Sequence, residues 1–346
     1  MENNVHIFKV FLDWDLLKIV SKIDRFDASW SSIEKKEGLS LKQLKNIATV
    51  RSVGASTRIE GSIMSNEEVK VLLDNLDITK IKNRDSQEVV GYFEVMDLIS
   101  ESFQDIEITE SNIKNLHNML LKYSPKDQWH KGNYKQHRNA VEATLPNGQK
   151  QIIFQTTEPG FATDDAMRQL IDWYKDDTET HSLVKLAIFS YEFVSIHPFQ
   201  DGNGRLSRLL STLLLLKNGY KWIQYVSLEH EIESRKNEYY LELRKCQAER
   251  PNEDVTTWIK FFFNALLNIQ EQLIDKLKTK GIQSKLAPKE KSILIFIENH
   301  AGCKSGEISK KLNIPSPTVK RILSKLVNSN LIEKHGIGAG TNYTIH

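Results

Sequence analysis

Apolar residues recur at helical spacing on both sides of one polar stretch near the middle of the chain. After it, residues 206–216 are rich in leucine and predict a buried helix. Before it, apolar and small side chains recur every three or four residues and predict an amphipathic helix: Leu183, Leu186, Ala187, Ser190, Phe193 and Val194. The polar residues that begin at His197 therefore lie in a helix-loop-helix corner.

This corner contains the groups that a phosphate site needs. Gly202 and Gly204 permit backbone conformations in which consecutive N–H groups converge on an anion at the start of a helix. His197 at the loop entrance is suited to take a proton from a hydroxyl near neutral pH. Asp201 offers a hard oxygen ligand for Mg²⁺, which typically binds one carboxylate together with substrate phosphates.

Two arginines and an amide complete this set. Arg205 and Arg208 lie three residues apart, so they share one face of the first helical turn and can clamp two phosphates. Asn203 adds a neutral donor. A base, a metal ligand, an anion hole and two arginines favour nucleotidyl or phosphoryl transfer, because that chemistry depends on positioning and charge stabilisation.

A second polar pattern lies upstream, in the N-terminal third. Residues 40–53 are predicted to be helical, and a further helix begins after Ser65, capped by Ser65 and Glu68. Between them stand Ser56 and Glu60, which lie one turn apart on one face if this segment is helical. A carboxylate there can pair with a buried arginine and compete with a phosphate for it.

Strand-forming residues are concentrated in one short region. Residues 141–145 and 151–155 flank Pro146-Asn147-Gly148, and Asn-Gly between such runs is a strong hairpin signal. A lone hairpin in a largely helical chain suits strand addition, in which an extended segment of a partner pairs with the hairpin.

The C-terminal residues form a pattern of their own. Residues 288–300, 305–312 and 318–328 are predicted helices, and 331–333 and 342–345 form a hairpin around Gly336, Gly338 and Gly340. This resembles a winged helix-turn-helix domain. On its third helix five apolar residues are predicted to face the core: Val319, Ile322, Leu323, Leu326 and Val327. The residues predicted to face outward, where a DNA-binding helix contacts the major groove, are Ser316, Thr318, Lys320, Arg321 and Lys325.

Charge separates this module from the rest. Residues 285–346 hold ten Lys/Arg against four Asp/Glu, or +6, which leaves −4 for the remainder of a chain with net charge +2. A DNA partner and a protein partner are both compatible with a charge of this size.

Composition excludes several classes of protein. With 40% hydrophobic and 27% charged residues, the 346-residue chain is typical of globular proteins with two or three domains. Its two cysteines, Cys246 and Cys303, give no disulfide framework and no zinc spacing. No signal-peptide pattern and no apolar stretch of membrane-spanning length is evident, so a cytoplasmic protein without membrane contacts is expected.

The run from His197 to Arg208 resembles the signature H-P-F-x-[D/E]-G-N-G-R-x-x-R of the Fic family at every fixed position. The resemblance implies Mg-dependent transfer of AMP from ATP to a Ser, Thr or Tyr hydroxyl of a protein. It makes His197 the general base and Asp201 the Mg²⁺ ligand, and Phe199 the anchor of the loop. Gly202, Asn203 and Gly204 would bind the α- and β-phosphates, Arg205 the β-phosphate and Arg208 the γ-phosphate.

Three other segments are similar to parts of the same family. Ser56 to Gly61 resembles the inhibitory motif [S/T]-x-x-x-E-[G/N], which implies that Glu60, supported by Ser56, holds Arg208 away from ATP. The hairpin resembles the Fic flap, with Val141, Ala143, Thr144, Ile152, Ile153 and Phe154 as target-docking positions. Tyr239 and Tyr240 fall where relatives line the adenine pocket, although their spacing also suits a core position, and His117 is expected to be a packed structural histidine.

Together these observations predict a mainly α protein: an inhibitory region at 1–105, a Fic core with a β-hairpin flap at 106–270, a linker at 271–287 and a winged helix at 288–346. Protein adenylylation with ATP and Mg²⁺ is the predicted function. Two alternatives remain open: removal of AMP at the same site, with Glu60 orienting a water, and a DNA-binding regulator whose Fic site is vestigial. A homo-oligomer is compatible with the predicted function and with both alternatives.

Overall fold

The computed structural model describes residues 2–77, 81, 83–144, 150–284, 286–329, 331–336 and 338–345. It divides into two compact units, Met1–Glu271 and Gln272–His346. The helices that begin in the first unit are α1 (Trp14–Ile59), α2 (Asn66–Asp74), α3 (Arg84–Ser102), α4 (Glu110–Leu120), α5 (Phe161–Asp176), α6 (Ser182–Ile196), α7 (Asn203–Lys217), α8 (Leu228–Ser234), α9 (Lys236–Gln247) and α10 (Thr256–Ser284). The predicted fold class, mainly α with a hairpin and a winged helix, is confirmed.

Two short antiparallel hairpins accompany these helices. One joins β1 (Glu2–Val5) to β2 (Phe8–Phe11), and the other joins β3 (Ala140–Thr144) to β4 (Lys150–Gln155). Short 3₁₀ turns occur at Pro125–Asp127 and Lys221–Tyr225.

Helices α6 and α7 form the centre of the first unit. Nearly every residue of both is buried, including the polar side chains that α7 carries in its first turns. They are tied together by a hydrogen bond of 2.7 Å between the Ser190 and Ser211 hydroxyls, and Trp258 of α10 donates its indole N–H to the Ala187 carbonyl at 2.8 Å. The corner between α6 and α7, which carries the polar run, is therefore held on a rigid base.

Helix α1 is much longer than the predicted helix that begins at residue 40. It starts at Trp14, where the Asp13 side chain accepts the Leu16 N–H at 2.8 Å and caps the helix. Its inner face continues through Leu16, Ile23, Phe26 and Trp30, all buried. The charged stretch around residues 34–38 interrupts the apolar pattern without ending the helix.

The expected boundary near residue 105 does not separate compact units. Helices α1 and α3 pack against α7, and α1 also packs against α8, so that residues 1–271 share one core. The expected linker is helical for most of its length, because α10 continues to Ser284.

A close helix contact places α4 beside α3. A Cβ built on Gly91 of α3 would stand 2.1 Å from the Leu120 carbonyl oxygen of α4. Only glycine allows this approach, and it brings His117 of α4 near the polar corner.

The second unit contains α11 (Pro288–Asn299), α12 (Ser305–Leu312), α13 (Ser316–Asn328), β5 (Ile332–His335) and β6 (Asn342–Ile345). The predicted helices and hairpin are all present, and Val319, Ile322, Leu323 and Leu326 are buried as expected. Asn313 takes a left-handed conformation, φ 52°, and turns the chain between α12 and α13. Ser316, Lys320, Arg321 and Lys325 are exposed on α13, and Lys325 bonds Glu290 at 2.8 Å.

Across the described part of the chain, none of the helices combines the length and apolar character required to cross a bilayer.

Candidate active site

The loop between α6 and α7 is fixed by backbone conformation and by one amide side chain. His197 ends α6 in the left-handed region, φ 54°, and Gly202 begins α7 with φ 83°, a value that favours glycine. Asn203 is buried and uses its side chain to bind both the N–H and the carbonyl of Phe199, at 2.9 and 2.7 Å. Its side chain therefore closes the loop, which leaves only its backbone N–H to face an anion.

The start of α7 is open to an anion. Gly202 supplies no side chain to cap the helix, and the first N–H groups of a helix have no partner within it. These N–H groups and the positive end of the helix dipole favour a negative group at this point.

The His197 imidazole is neutral near pH 7, the state in which it can accept a proton. Burial first, and then the charge of Lys135, lower its pKa to about 4. Its Nδ1 lies 3.3 Å from the Val194 carbonyl, which can only accept, so Nδ1 carries the proton. The lone pair is consequently on Nε2.

Asp201 is ionised and surrounded by cations. Burial raises its pKa, but Arg205 and Lys126 outweigh that effect and the pKa falls to about 2. Its Oδ1 accepts from Gly202 N at 2.6 Å and from Arg205 at 3.1 Å, while Lys126 lies 3.4 Å from Oδ2. The side chain keeps 35% of its surface exposed, which leaves room for a further ligand.

Arg205 is buried, in contrast to the open phosphate clamp suggested by its position in the run. Its guanidinium lies between Asp201 and Glu88, with Nη1 3.4 Å from the Glu88 carboxylate. Among the described residues, its Nε and Nη1 have no hydrogen-bond partner. The side chain thus orients Asp201 and still carries unused donors.

Arg208 contacts the upstream segment as expected. Its Nε donates to the Ser56 hydroxyl at 2.8 Å, and its Nη2 donates to the Ser56 carbonyl at 3.0 Å and to Glu60 Oε1 at 2.8 Å. One nitrogen, Nη2, binds Glu60, so the pair is not bidentate, and Ser56 accepts two further N–H donations, from Nε and from Nη2.

The Glu60 carboxylate lies over the first turn of α7. A Cβ built on Gly204 would stand 2.3 Å from Glu60 Oε1. Burial opposes ionisation of Glu60, but Arg208 and Arg205 hold its pKa below the ordinary value. The Glu60 side chain is 32% exposed, whereas that of Arg208 is 3% exposed. If the pair breaks, water can solvate the carboxylate more readily than the buried guanidinium.

A further contact holds the end of α1 in place. Arg58 forms a two-point ion pair with Glu233 of α8 at 2.7 and 3.0 Å, and Lys236 donates to the Ile59 carbonyl at 2.6 Å. This long-range pair was not predicted, because nothing local in the sequence links residues 175 positions apart.

His117 has the structural role that was expected. It is fully buried and stacks on Phe199, with ring centroids 3.8 Å apart. Its Nδ1 accepts the Gly132 N–H at 2.9 Å, so Nε2 carries the proton and donates to the Asp201 carbonyl at 2.9 Å. Phe199 is itself buried, as expected for the anchor of the loop.

The two tyrosines of α9 have different surroundings. Tyr239 is buried against Trp258 and Phe261, in a core position. Tyr240 is half-buried, with Arg244 over its ring at 5.7 Å. The pKa of Tyr240 is raised to about 12, first by burial and then by the charge of Glu60.

The hairpin β3–β4 is present, with a bulge between Val141 and Glu142. Val141 pairs with Phe154, Ala143 with Gln151 and Thr144 with Lys150, whereas Ile152 pairs with Glu142. Ile152 is exposed, and the Asn147-Gly148 tip lies outside the described residues. Lys135 and Asn139 join this hairpin to the His197 loop. Neither residue was predicted as part of the site, because residues 130–140 are mostly polar and nothing local marks this lysine as buried.

Comparison with known proteins agrees with this geometry. Residues 107–215 match the model of the Fic/DOC family, and residues 286–333 match that of winged helix-turn-helix DNA-binding domains. These matches confirm the resemblance of the chain to the Fic family and to winged helix-turn-helix domains.

Curated relatives include two fly proteins named protein adenylyltransferase Fic. The Drosophila willistoni protein is 28% identical over 205 residues, 58% of this chain and 38% of its own. The Drosophila melanogaster protein is 28% identical over 194 residues, 55% of this chain and 37% of its own. The chain thus spans less than two fifths of the length of the curated relatives it matches.

Solved structures share the fold. A Fic family protein from Desulfovibrio desulfuricans G20 has a TM-score of 0.63 at 22% identity, covering 97% of each chain. A Fic domain containing signaling protein from Bacteroides thetaiotaomicron has a TM-score of 0.59 at 24% identity, covering 74% of this chain and 96% of that one.

Proposed function

We propose that the chain is a protein adenylyltransferase that moves AMP from ATP to a Ser, Thr or Tyr hydroxyl and is restrained by Glu60. The observation that carries the proposal is the arrangement at one corner: a neutral histidine, an uncapped helix start and an arginine held by Ser56 and Glu60. The names of the fly relatives support the same reaction.

The transfer follows from the position of His197. Its Nε2 accepts the proton of the target hydroxyl while the hydroxyl oxygen attacks the α-phosphorus of ATP. The bond to the β-phosphate oxygen breaks, and pyrophosphate leaves with that electron pair. The N–H groups at the start of α7 stabilise the charge on the phosphates, and the proton on His197 is later released to water.

Asp201 fits a Mg²⁺ ligand. Within the described ranges no group of three or more His, Cys, Asp or Glu is arranged around a metal position, but Mg²⁺ bound to nucleotides often uses a single carboxylate. Asp201 is ionised and partly exposed. Bound there, Mg²⁺ would neutralise phosphate charge; the chain's own part is to keep the carboxylate oriented through Arg205 and Gly202.

Restraint follows from competition for Arg208. While its donors bind Ser56 and Glu60, the guanidinium cannot hold the γ-phosphate, so the α-phosphorus is not aligned with the base. The carboxylate also lies over the helix start where a phosphate would bind. Displacement of the end of α1 removes both obstacles.

The reaction type is tested with ATP labelled on the α- or the γ-phosphate. Wild type, Glu60→Gly, Glu60→Gly/His197→Ala and the control Glu67→Gly, an exposed carboxylate on α2, are incubated with Mg²⁺ and cell lysate. Adenylylation predicts α-label on protein, strongest in Glu60→Gly, absent without His197 and at the wild-type level in Glu67→Gly. Label from γ-phosphate would mean phosphorylation, and no label in any variant would rule out the transferase.

Removal of AMP is a second candidate for the same site. Glu60 is ionised and lies at the first turn of α7, where it can orient a water toward a phosphodiester. Incubation of AMP-modified protein with wild type and with Glu60→Gly separates the two directions, because only the reverse reaction requires Glu60.

The winged helix is proposed to bind DNA through α13. Lys320 and Arg321 are exposed on this helix, and the matched family model is described as DNA-binding. A protein partner is the alternative, and it predicts binding without the steep salt dependence of phosphate contacts.

A further inference from the structure

Lys135 is a lysine in the interior of the first unit. Only 2% of its surface is exposed, in the loop that precedes β3. Its ammonium donates to Asn139 Oδ1 at 3.0 Å, to the Thr156 hydroxyl at 2.8 Å and to the Ile196 carbonyl at 3.1 Å. All three acceptors are neutral oxygens, and burying a charge is costly. The charge of Glu158 offsets part of this cost. Burial lowers the pKa of Lys135 to about 8, so most of it remains charged at neutral pH.

The three acceptors belong to three different segments. Asn139 immediately precedes β3, Thr156 immediately follows β4, and Ile196 immediately precedes His197. One ammonium therefore joins both ends of the flap to the residue before the proposed base.

Additional bonds strengthen this junction. The Lys135 N–H donates to the Pro198 carbonyl at 2.8 Å, and Asn139 Nδ2 donates to the Phe199 carbonyl at 2.9 Å. The Thr156 hydroxyl donates back to Asn139, whose carbonyl lies 2.8 Å away. Carbonyls on both sides of His197 are thus bound to the base of the hairpin.

The charge of Lys135 also faces His197. Three charged groups act on this imidazole: Lys135 from the loop before the flap, Glu60 from the end of α1 and Asp201 from the loop before α7. The two carboxylates favour protonation, and the ammonium opposes it.

From these contacts we propose that Lys135 is a positioning residue: it fixes both ends of the flap against the loop of His197, so that a hydroxyl docked on the flap meets the imidazole at a set distance. This inference rests on the proposed transfer reaction and on strand addition at the flap, but its geometry can be tested without either. The flap then works as a rigid extension of the active-site loop.

The test uses the full chain with Lys135→Met, which keeps the length of the stem, Lys135→Arg, which keeps the charge, and Lys131→Met as a control in the same loop. Hydrogen exchange of the amides in 140–144 and 150–155 reports how firmly the flap is held. Histidine ring signals, with His197 assigned by its loss in His197→Gln, report its titration between pH 3.5 and 8. Neither readout needs ATP or a target protein.

The proposal predicts that Lys135→Met speeds flap exchange about tenfold or more. It also predicts that the titration midpoint of His197 rises by about one pH unit, since one of the two effects that lower it has been removed. Lys135→Arg retains the low midpoint, and Lys131→Met matches wild type. Unchanged flap exchange together with an unchanged midpoint in Lys135→Met overturns the inference.

A second variant covers the case in which Lys135→Met does not fold. Thr156→Val removes the hydroxyl through which Lys135 holds the end of β4, and it should speed exchange in the flap while the His197 midpoint stays low. If flap exchange in Thr156→Val equals that of wild type, Lys135 does not fix both ends of the flap and the inference fails. An adenylylation assay that fails while both readouts behave as described would count against the function and not against this role of Lys135.

Discussion

The Glu60 carboxylate and the Gly204 backbone are in direct contact: any side chain at 204 would overlap Glu60 Oε1, which lies 2.3 Å from the position of a Cβ. In the proposed mechanism the same absence of a side chain admits a phosphate to the start of α7. The Glu60 carboxylate and the nucleotide are then expected to exclude each other at this residue.

Gly204→Ala should be destabilising only while Glu60 is present. Because residue 204 lies in α7, alanine by itself should stabilise the helix, by up to about 1 kcal/mol. In wild type the new methyl group collides with Glu60, so we expect a lower free energy of unfolding in urea. A double-mutant cycle with Glu60→Gly checks this, and an equal effect of Gly204→Ala in both backgrounds would contradict the contact.

Glu233→Gln should release the inhibitory segment in part. Arg58 loses the ion pair that holds the end of α1 on α8, so Glu60 leaves Arg208 more often and AMP incorporation rises several-fold, but less than in Glu60→Gly. Glu238→Gln, which breaks the exposed pair with Arg235, is the matched control. Equal activity of Glu233→Gln and wild type would show that Arg58 does not support the restraint.

The sequence was sufficient to predict a corner between two helices at the run from His197 to Arg208. The run from His197 to Arg208 and the Ser56–Glu60 spacing correctly predicted the contact among Ser56, Glu60 and Arg208, because both patterns are local and their chemistry is specific. The burial of Arg205 between Asp201 and Glu88 could not be predicted, since it depends on how α3 packs against α7.

Other features depended on long-range packing in the same way. The full length of α1 was missed because a charged stretch interrupts its apolar face, and the single compact unit from residue 1 to 271 was missed with it. The buried junction at Lys135 could not be predicted either, because its acceptors lie as far away as residue 196.

Stability should fall as the pH is lowered from 6.5 toward 4. His6, His117 and His197 each have a pKa lowered to about 4, by burial above all, so in this range the unfolded chain binds protons that the folded chain does not. Burial raises the pKa of Asp27 to about 6 and that of Glu192 above its ordinary value, which offsets part of the effect.

Near pH 5 the unfolded chain should therefore bind about one to two more protons than the folded chain, so the free energy of unfolding should rise with pH. Urea unfolding at several pH values measures it. His6→Phe, which keeps an aromatic ring beside Trp173, should reduce the dependence by about one proton. Stability that is constant between pH 6.5 and 4.5 would contradict the neutral state of these histidines.

Binding of the winged helix to DNA should depend on two exposed residues of α13. In the full chain, Lys320→Ala and Arg321→Ala should each weaken binding to duplex DNA. Each should also reduce the slope of the logarithm of the binding constant against the logarithm of salt concentration by about one, the loss of one phosphate contact. Lys325→Ala should have a smaller effect, because Lys325 is already paired with Glu290. Absence of DNA binding at low salt would favour a protein partner.

In the proposed mechanism Glu60 and ATP compete for Arg208. This competition is measured as the initial rate of AMP incorporation from α-labelled ATP by wild type, Glu60→Gly and Glu60→Gly/Arg208→Ala. We expect Glu60→Gly to exceed wild type by tenfold or more, about 1.4 kcal/mol or more of released restraint, and the gain to disappear when Arg208 is also removed. A gain that persists without Arg208, or a rate in Glu60→Gly no higher than that of wild type, would contradict the account.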